Sequence, residues 1–361
     1  MLDSRFWIGL FVSALFVVLL LWRIDFGDTA AAFRDANYLL LVPAIGLYFV
    51  ALYFRTRRWG VMLRPLKAVP FGRLFPVMSV GYMANNLLPV RLGELVRSYY
   101  LGEREGVSKS ATLATVAIER VFDGVVLLLF LAAVSVALPL AGLMRDIAAD
   151  TGLPLSLMVS VAAVPFGAAL AFLFVAAYKP NIPLAALRCL MKPLPKGLGV
   201  KVEDLAALFL RGLAVLRDPR RSLLLLALTL PVWLGEAAMY YVVGVSFGLE
   251  GHVGGAVTMA WVMLAVTATS NLATSLPSSQ GGIGPFELFG TATLVVLGAP
   301  REIATAYAVV LHAALLLPVT LLGLAYLWAG KQSLVQMVRV GARLGARGPG
   351  PEGSAVSKEA P

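Results

Sequence analysis

The chain has 361 residues, 59% of them hydrophobic and only 14% charged, with a mean hydropathy of +0.84. Soluble domains carry about 25% charged residues, so a soluble enzyme and a coiled coil are excluded; at about 20 apolar residues per crossing, roughly eight crossings fit. Thirty Lys and Arg stand against twenty Asp and Glu, and the single cysteine, Cys189, excludes an internal disulfide and a cysteine-based zinc site.

Apolar runs follow one another at 6–22, 38–54, 74–90, 107–140, 155–178, 222–248, 256–276, 286–298 and 303–329. The first has Arg5 in front of it, but Trp22-Arg23-Ile24-Asp25 offers no small-residue cleavage site, so a retained helix is expected rather than a signal peptide. Pro and Gly inside several runs do not veto helix, because neighbouring helices satisfy freed backbone groups in a membrane.

The charges sort by loop. Residues 55–73 hold six basic residues and no acid, 179–221 hold nine basic and three acidic, and the tail from 331 holds five and two. Segments 23–37, 141–154 and 249–255 together hold three basic and six acidic residues. The positive-inside rule therefore places the first three in the cytoplasm and the others outside. Topology alone explains twenty of the thirty basic residues, which makes nucleic acid an unneeded partner and leaves anionic lipid headgroups a compatible one.

That orientation demands an odd number of crossings between 73 and 141, where two apolar runs lie. The run 74–90 is the weaker, because it contains Asn85, Asn86 and Pro89. It is expected to enter from the cytoplasm, break near Asn85–Pro89 and return. In the second half, the run 256–276 ends in Pro277-Ser-Ser-Gln-Gly281-Gly282-Ile-Gly284-Pro285, followed by a run at 286–298 too short to cross upright. Short, Gly/Pro-interrupted segments in corresponding places of two halves point to a transporter's binding site. The predicted fold is thus an all-α, polytopic transmembrane helical bundle of about eight apolar segments, with broken or re-entrant helices near 85–91 and 277–286. A membrane domain over 1–330 includes a basic cytoplasmic loop at 179–221. Within that loop Val202, Leu205, Leu208, Phe209, Leu213 and Leu216 mark an amphipathic helix on the inner face. Residues 331–361 form a basic cytoplasmic tail, disordered at its Gly/Pro-rich end.

Ionisable residues inside a bilayer cost from about 3 kcal/mol upward and mark function or pairing. Arg91, Glu94 and Arg97 fall at i, i+3, i+6 on one helix ridge after the predicted break. Arg91 and Arg97 can clamp a phosphate; the plainer alternative is an interfacial helix with ordinary surface charges. Glu119, Arg120 and Asp123 follow in the long run, either as an ion-pair cluster pinning helices or as a substrate site; Arg120 can reach Asp123 at i+3. Glu236 is a lone acid that neutralises one of these arginines or carries a proton. Glu287 suits the positive end of the short helix after the glycine loop, where capping suffices to explain it. The backbone of Gly281, Gly282 and Gly284 can also meet an anion. His312, alone in an apolar helix, reads as a hydrogen-bonded packing residue. Two histidines and one cysteine give no nucleophile–base pair or metal set, and no P-loop or dinucleotide fingerprint occurs. No catalysis, cofactor or metal is expected.

Three blocks carry a resemblance: Asn86-Leu-Leu-Pro-Val-Arg91-Leu-Gly-Glu94-Leu-Val-Arg97, then Val107-Ser-Lys-Ser-Ala111 leading to Glu119-Arg-Val-Phe-Asp123, and Leu276-Pro-Ser-Ser-Gln-Gly-Gly-Ile-Gly-Pro-Phe-Glu287. In this order they resemble the signature of the lysylphosphatidylglycerol synthase transmembrane-region family, the flippase-like membrane domain of bacterial multiple peptide resistance factors and their stand-alone relatives. The resemblance covers most of 1–330 and implies a helical membrane domain that moves a lipid between leaflets. Full-length resistance factors add a soluble aminoacyl-transferase domain; with about thirty residues after the last predicted helix, that domain is expected to be absent. The family's common Pro-Gly-Gly reads Pro277-Ser-Ser-Gln-Gly281-Gly282 here, so the loop departs from the pattern.

The reading that follows is a lipid transporter of the bacterial cytoplasmic membrane with both termini in the cytoplasm. Arg91 and Arg97 are expected to bind an anionic headgroup. Glu94, Glu119, Arg120, Asp123 and Glu236 would hold those arginines or gate access, and Asn85, Asn86, Pro89, Pro277, Gly281, Gly282, Gly284 and Glu287 would shape the breaks. The alternative is a non-transporting partner of a lipid-modifying enzyme or glycosyltransferase, docked through the basic loops. Self-association stays open.

Overall fold

The computed structural model describes residues 25–88, 92–138, 171–191, 196–274 and 280–330, with parts of 11–20 and 164–168. The predicted tail, the acidic segment 141–154, and Pro89, Arg91 and Pro277 lie outside these residues. Beside helical residues at 14–20 and 171–178, eleven α-helices have defined bounds: α1 Phe26–Asp35, α2 Leu41–Leu63, α3 Phe71–Leu87, α4 Gly93–Glu105, α5 Lys109–Ala137, α6 Asn181–Met191, α7 Lys196–Gly212, α8 Pro219–Ser246, α9 Ala256–Ala273, α10 Pro285–Val296 and α11 Arg301–Ala329. Among the described residues there is no strand, so the protein is an all-α polytopic bundle, as expected.

Helix starts follow local chemistry. The Asp25 carboxylate accepts from the N–H groups of Gly27 and Asp28, at 2.7 and 3.1 Å, and so opens α1. Ser108 caps α5 through the Ala111 N–H, and Asp218 caps α8, which has Pro219 in its first turn. Gly106, at φ 66°, ends α4 in the left-handed region open to glycine. Among the described residues, five helical spans are long and apolar enough to cross a membrane: Tyr38–Leu63, Lys109–Ala137, Pro219–Ser246, Ala256–Ala273 and Arg301–Ala329.

Contacts between element ends define two faces. On one, Lys67 donates to the Glu105 carbonyl at 2.6 Å, Arg73 pairs with the Glu105 carboxylate, and Arg104 lies beside Gly330. Ser110 donates to the Leu205 carbonyl, and Arg217 donates to that of Ala177, on the same face. On the other, the Asn37 N–H donates to the Ser246 carbonyl, and Gly298 packs against the His252 carbonyl. These groupings match the division of the described loops by charge.

Two helical hairpins enter the bundle from these opposite faces. In the first, Gly81 faces Arg97, and Gly93 faces the Gly81 carbonyl and Asn85, so α3 and α4 run antiparallel and return to the basic face. In the second, Thr269 bonds Thr293 at 2.8 Å, Gly290 meets Ser270 and Gly282 meets Thr274, so α9 and α10 also run antiparallel. Small residues at these crossings let the backbones approach, as membrane helix pairs require.

The span expected at 38–54 is longer in the structure. After a 3₁₀ turn at Tyr38–Leu40, α2 continues to Leu63. Arg55 and Arg58, assigned by charge counting to a cytoplasmic loop, are therefore buried inside a membrane-spanning helix. The amphipathic segment forms α7, and its Leu213–Arg217 extension buries Leu213 and Leu216. Ser110 and Leu205 join α7 to the start of α5.

Candidate functional site

The interior holds a buried ionic cluster. Arg58, fully buried, donates to Asp123 at 2.6 Å and to Thr229 at 2.9 Å, and its other terminal nitrogen stands 3.5 Å from Glu119. Arg97 pairs with Glu119 at 2.9 Å and stacks on Trp59, 4.5 Å from the ring centre. Arg55 pairs with Glu236, donates to the Tyr82 hydroxyl at 3.0 Å and lies over the Trp233 ring. Trp233 donates to Asp123 at 2.9 Å. Arg120 pairs with Glu94 at 3.2 Å and reaches Glu119 at 3.4 Å. Four guanidinium groups meet four carboxylates, which offsets the desolvation that any of them would suffer alone.

Burial divides this cluster. Arg58, Arg97, Glu119 and Asp123 have side chains at most 5% exposed. Arg120 keeps 33% and Glu94 23% of their side chains exposed. The exposed pair opens on a cavity of about 150 Å³ between the tips of the two hairpins. Arg55, Glu236, Asn85 and Asn86 also line it, and the second hairpin contributes Asn271, Gly281 and Phe286. Arg55 stands about 12 Å along the helix axis from Leu63 on the basic face, and Glu236 about 15 Å from Ser246 on the other, at 1.5 Å per residue. Their meeting point is close to the centre of a hydrocarbon core of about 30 Å.

The tips are fixed by polar bonds. Asn86 donates to the Leu316 carbonyl at 3.2 Å and to Thr320 at 2.9 Å. The buried side-chain oxygen of Asn85 has no hydrogen-bond partner. On the second hairpin, Gly281, Gly282 and Gly284 have φ values of 67°, 80° and 99°, conformations that a side chain would strain. Glu287 accepts from the Gly284 N–H at 2.7 Å, which caps α10 as its position predicted. The other Glu287 oxygen lies 2.5 Å from His312 Nδ1, and His312 Nε2 lies 3.1 Å from the Gly281 carbonyl. His312 is hydrogen-bonded and packed, its ring stacked on Phe286 at 4.2 Å.

The structure thus brings Asn85, Asn86, Glu94, Arg120, Glu236, Gly281 and Gly282 to one cavity. Arg97 does not line it, because Glu119 and Trp59 occupy its guanidinium. Glu94 and Arg97 pair across helices, Glu94 with Arg120 and Arg97 with Glu119, while Arg91 lies outside the described residues. Arg120 likewise pairs with Glu94 and Glu119 instead of Asp123, which Arg58 occupies. Arg55 and Arg58 were hidden by their place at the edge of a basic run.

Three relatives share parts of this chain. A UPF0104 membrane protein of Methanothermobacter thermautotrophicus is 35% identical over 101 residues, 27% of this chain and 30% of the relative. A UPF0104 membrane protein of Methanocaldococcus jannaschii is 27% identical over 124 residues, 34% of this chain and 37% of the relative. The glycosyltransferase AglD of Haloferax volcanii is 25% identical over 337 residues, 87% of this chain but 52% of that protein. The chain therefore spans at most about half the length of these relatives. Its match to the lysylphosphatidylglycerol synthase TM region extends over residues 6–323, and the chain belongs to that family of membrane domains.

Proposed function

We propose that this protein moves an anionic, phosphate-bearing lipid between the leaflets of a bacterial cytoplasmic membrane, with both termini on the cytoplasmic side. The observation that carries this reading is the polar cavity at mid-depth, enclosed by hairpin tips that enter from opposite faces. A headgroup crossing the hydrocarbon core needs such a polar station, while its acyl chains stay in lipid. Arg120 is the cation most available to it, because a third of its side chain is exposed, with Arg55 beside it on the cavity wall. A phosphate arriving there takes hydrogen bonds from Arg120 that Glu94 now accepts, and Glu94 turns toward solvent. Arg97, Glu119, Arg58 and Asp123 act behind them as fixed counter-charges that hold α4, α5 and α2 in register.

The similarity to a protein named as a glycosyltransferase over 87% of this chain favours one second reading, a membrane partner that supports a sugar- or lipid-transferring enzyme. Reconstitution separates the two. Proteoliposomes holding only this chain and a fluorescent phosphate-bearing lipid should exchange that lipid between leaflets, and Arg120→Gln should slow exchange at least about tenfold, the loss of one charge-assisted contact. Exchange no faster than in empty liposomes would leave only the partner reading.

A further inference from the structure

The Glu287–His312–Gly281 chain has a proton requirement that its geometry fixes. The Gly281 carbonyl can only accept, so His312 Nε2 must carry a hydrogen to bond it at 3.1 Å. His312 Nδ1 and Glu287 Oε1 stand 2.5 Å apart and need a proton between them. The second Glu287 oxygen already accepts from the Gly284 N–H, so it does not supply that proton. Histidinium facing carboxylate and neutral histidine facing carboxylic acid both meet these demands. Each holds one proton more than neutral histidine beside a carboxylate.

When that proton leaves, one of two ties breaks. With the hydrogen kept on Nε2, the Nδ1 lone pair confronts the carboxylate. With the hydrogen moved to Nδ1, the Nε2 lone pair confronts the Gly281 carbonyl. In both cases α11 loses a bond to the second hairpin, at the point where Gly281 packs against Leu316 and the Asn86 backbone of the first hairpin. From this we infer that Glu287 and His312 form a binding site for a single proton, whose occupancy latches the tip of the second hairpin against α11 and the first hairpin.

The surrounding charges make the site matter to the cavity. The titratable or charged groups facing it are Tyr48 and Arg55 of α2, Tyr82 of α3, Glu94 of α4, Arg120 of α5 and Glu236 of α8, while α9 brings the neutral Asn271 and Thr274. Tyr240 of α8 stands behind Phe286, at 6.2 Å between ring centres. Arg55 and Glu236 offset each other, as do Arg120 and Glu94. The proton on Glu287–His312 therefore sets the net charge of the space: neutral when bound, negative when released. An anion in the cavity favours proton uptake, and proton uptake favours the anion, by reciprocal linkage. This last coupling rests on the lipid reading above and makes the proton the co-transported ion; the latch itself does not.

Hydrogen–deuterium exchange on the full chain in detergent, with no lipid substrate added, tests the latch. After correction for intrinsic exchange, amide protection over residues 281–288 should fall about tenfold between acidic and alkaline pH, the effect of one lost hydrogen bond. Glu287→Gln supplies a permanent amide donor to Nδ1 and keeps an oxygen for Gly284, so protection should stay high at both pH values. His312→Phe removes both ties and should leave protection low at both. Equal wild-type protection at the two pH values, or a Glu287→Gln variant that keeps the wild-type pH response, would overturn the proton site. Such a failure leaves the lipid reading intact; a normal response without lipid exchange in proteoliposomes defeats the lipid reading alone.

Discussion

The two hairpins have similar arms, 17 and 13 residues in the first and 18 and 12 in the second, but different fastenings. The first is held to α5 by guanidinium–carboxylate pairs, Arg97 with Glu119 and Glu94 with Arg120. The second is held by a threonine pair to its own partner arm and by His312 to α11. Arginine stays charged at all physiological pH values, so the first hairpin's pairs keep their cations whatever the pH, whereas the tie from the second hairpin to α11 depends on one removable proton. The comparison assigns the first hairpin the role of a fixed charged wall and the second that of a movable one.

Breaking the ionic cluster on which the fixed wall rests, where Arg58 of α2 shares Glu119 with Arg97, should have the largest effect. Arg58→Met leaves Asp123 and Glu119 partly uncompensated in a dry interior, and should cost about 3–5 kcal/mol, read as a large drop in thermal stability in detergent. Gly93→Ala drives a methyl group into the Gly81 carbonyl and Asn85, and should cost about 1–3 kcal/mol by forcing α3 and α4 apart. Gly72→Ala, with open space around it, should change stability by no more than about 0.5 kcal/mol and serves as the control. On the second hairpin, Thr269→Val removes the bond to Thr293 and should cost only about 1 kcal/mol. If Thr269→Val proved as damaging as Arg58→Met, the two walls would not differ in the way described.

The breaks themselves were legible, because Asn85 and Asn86 inside an apolar run and the Gly281–Gly284 loop contradict a continuous span. Loop parity turned the first contradiction into a hairpin. The charges were harder. Counting Arg55 and Arg58 with a cytoplasmic loop hid them, although Trp59 and the apolar Val61-Met62-Leu63 continue the helix beyond them. A second clue lay in the acids: Glu119, Asp123 and Glu236 inside spans require cations at the same depth, and Arg55 and Arg58 are the cations that pair with Glu236 and Asp123. Which arginine faced the cavity was not legible at all. Arg97 and Arg120 each have one apolar and one polar neighbour in sequence, Val96 and Ser98 for the first and Val121 and Glu119 for the second, and the packing of Trp59 over Arg97 separates them.

The central claim is that the cavity between the hairpins takes a phosphate-bearing lipid through Arg120. Native mass spectrometry of gently purified protein tests it most directly, comparing wild type with Arg120→Gln and with Arg188→Glu, a surface charge on α6 paired with Glu203. One anionic lipid class should be enriched on wild type and on Arg188→Glu, and lost from Arg120→Gln. Bound lipids that mirror the bulk membrane in all three proteins, or enrichment abolished by Arg188→Glu and kept by Arg120→Gln, would contradict the account.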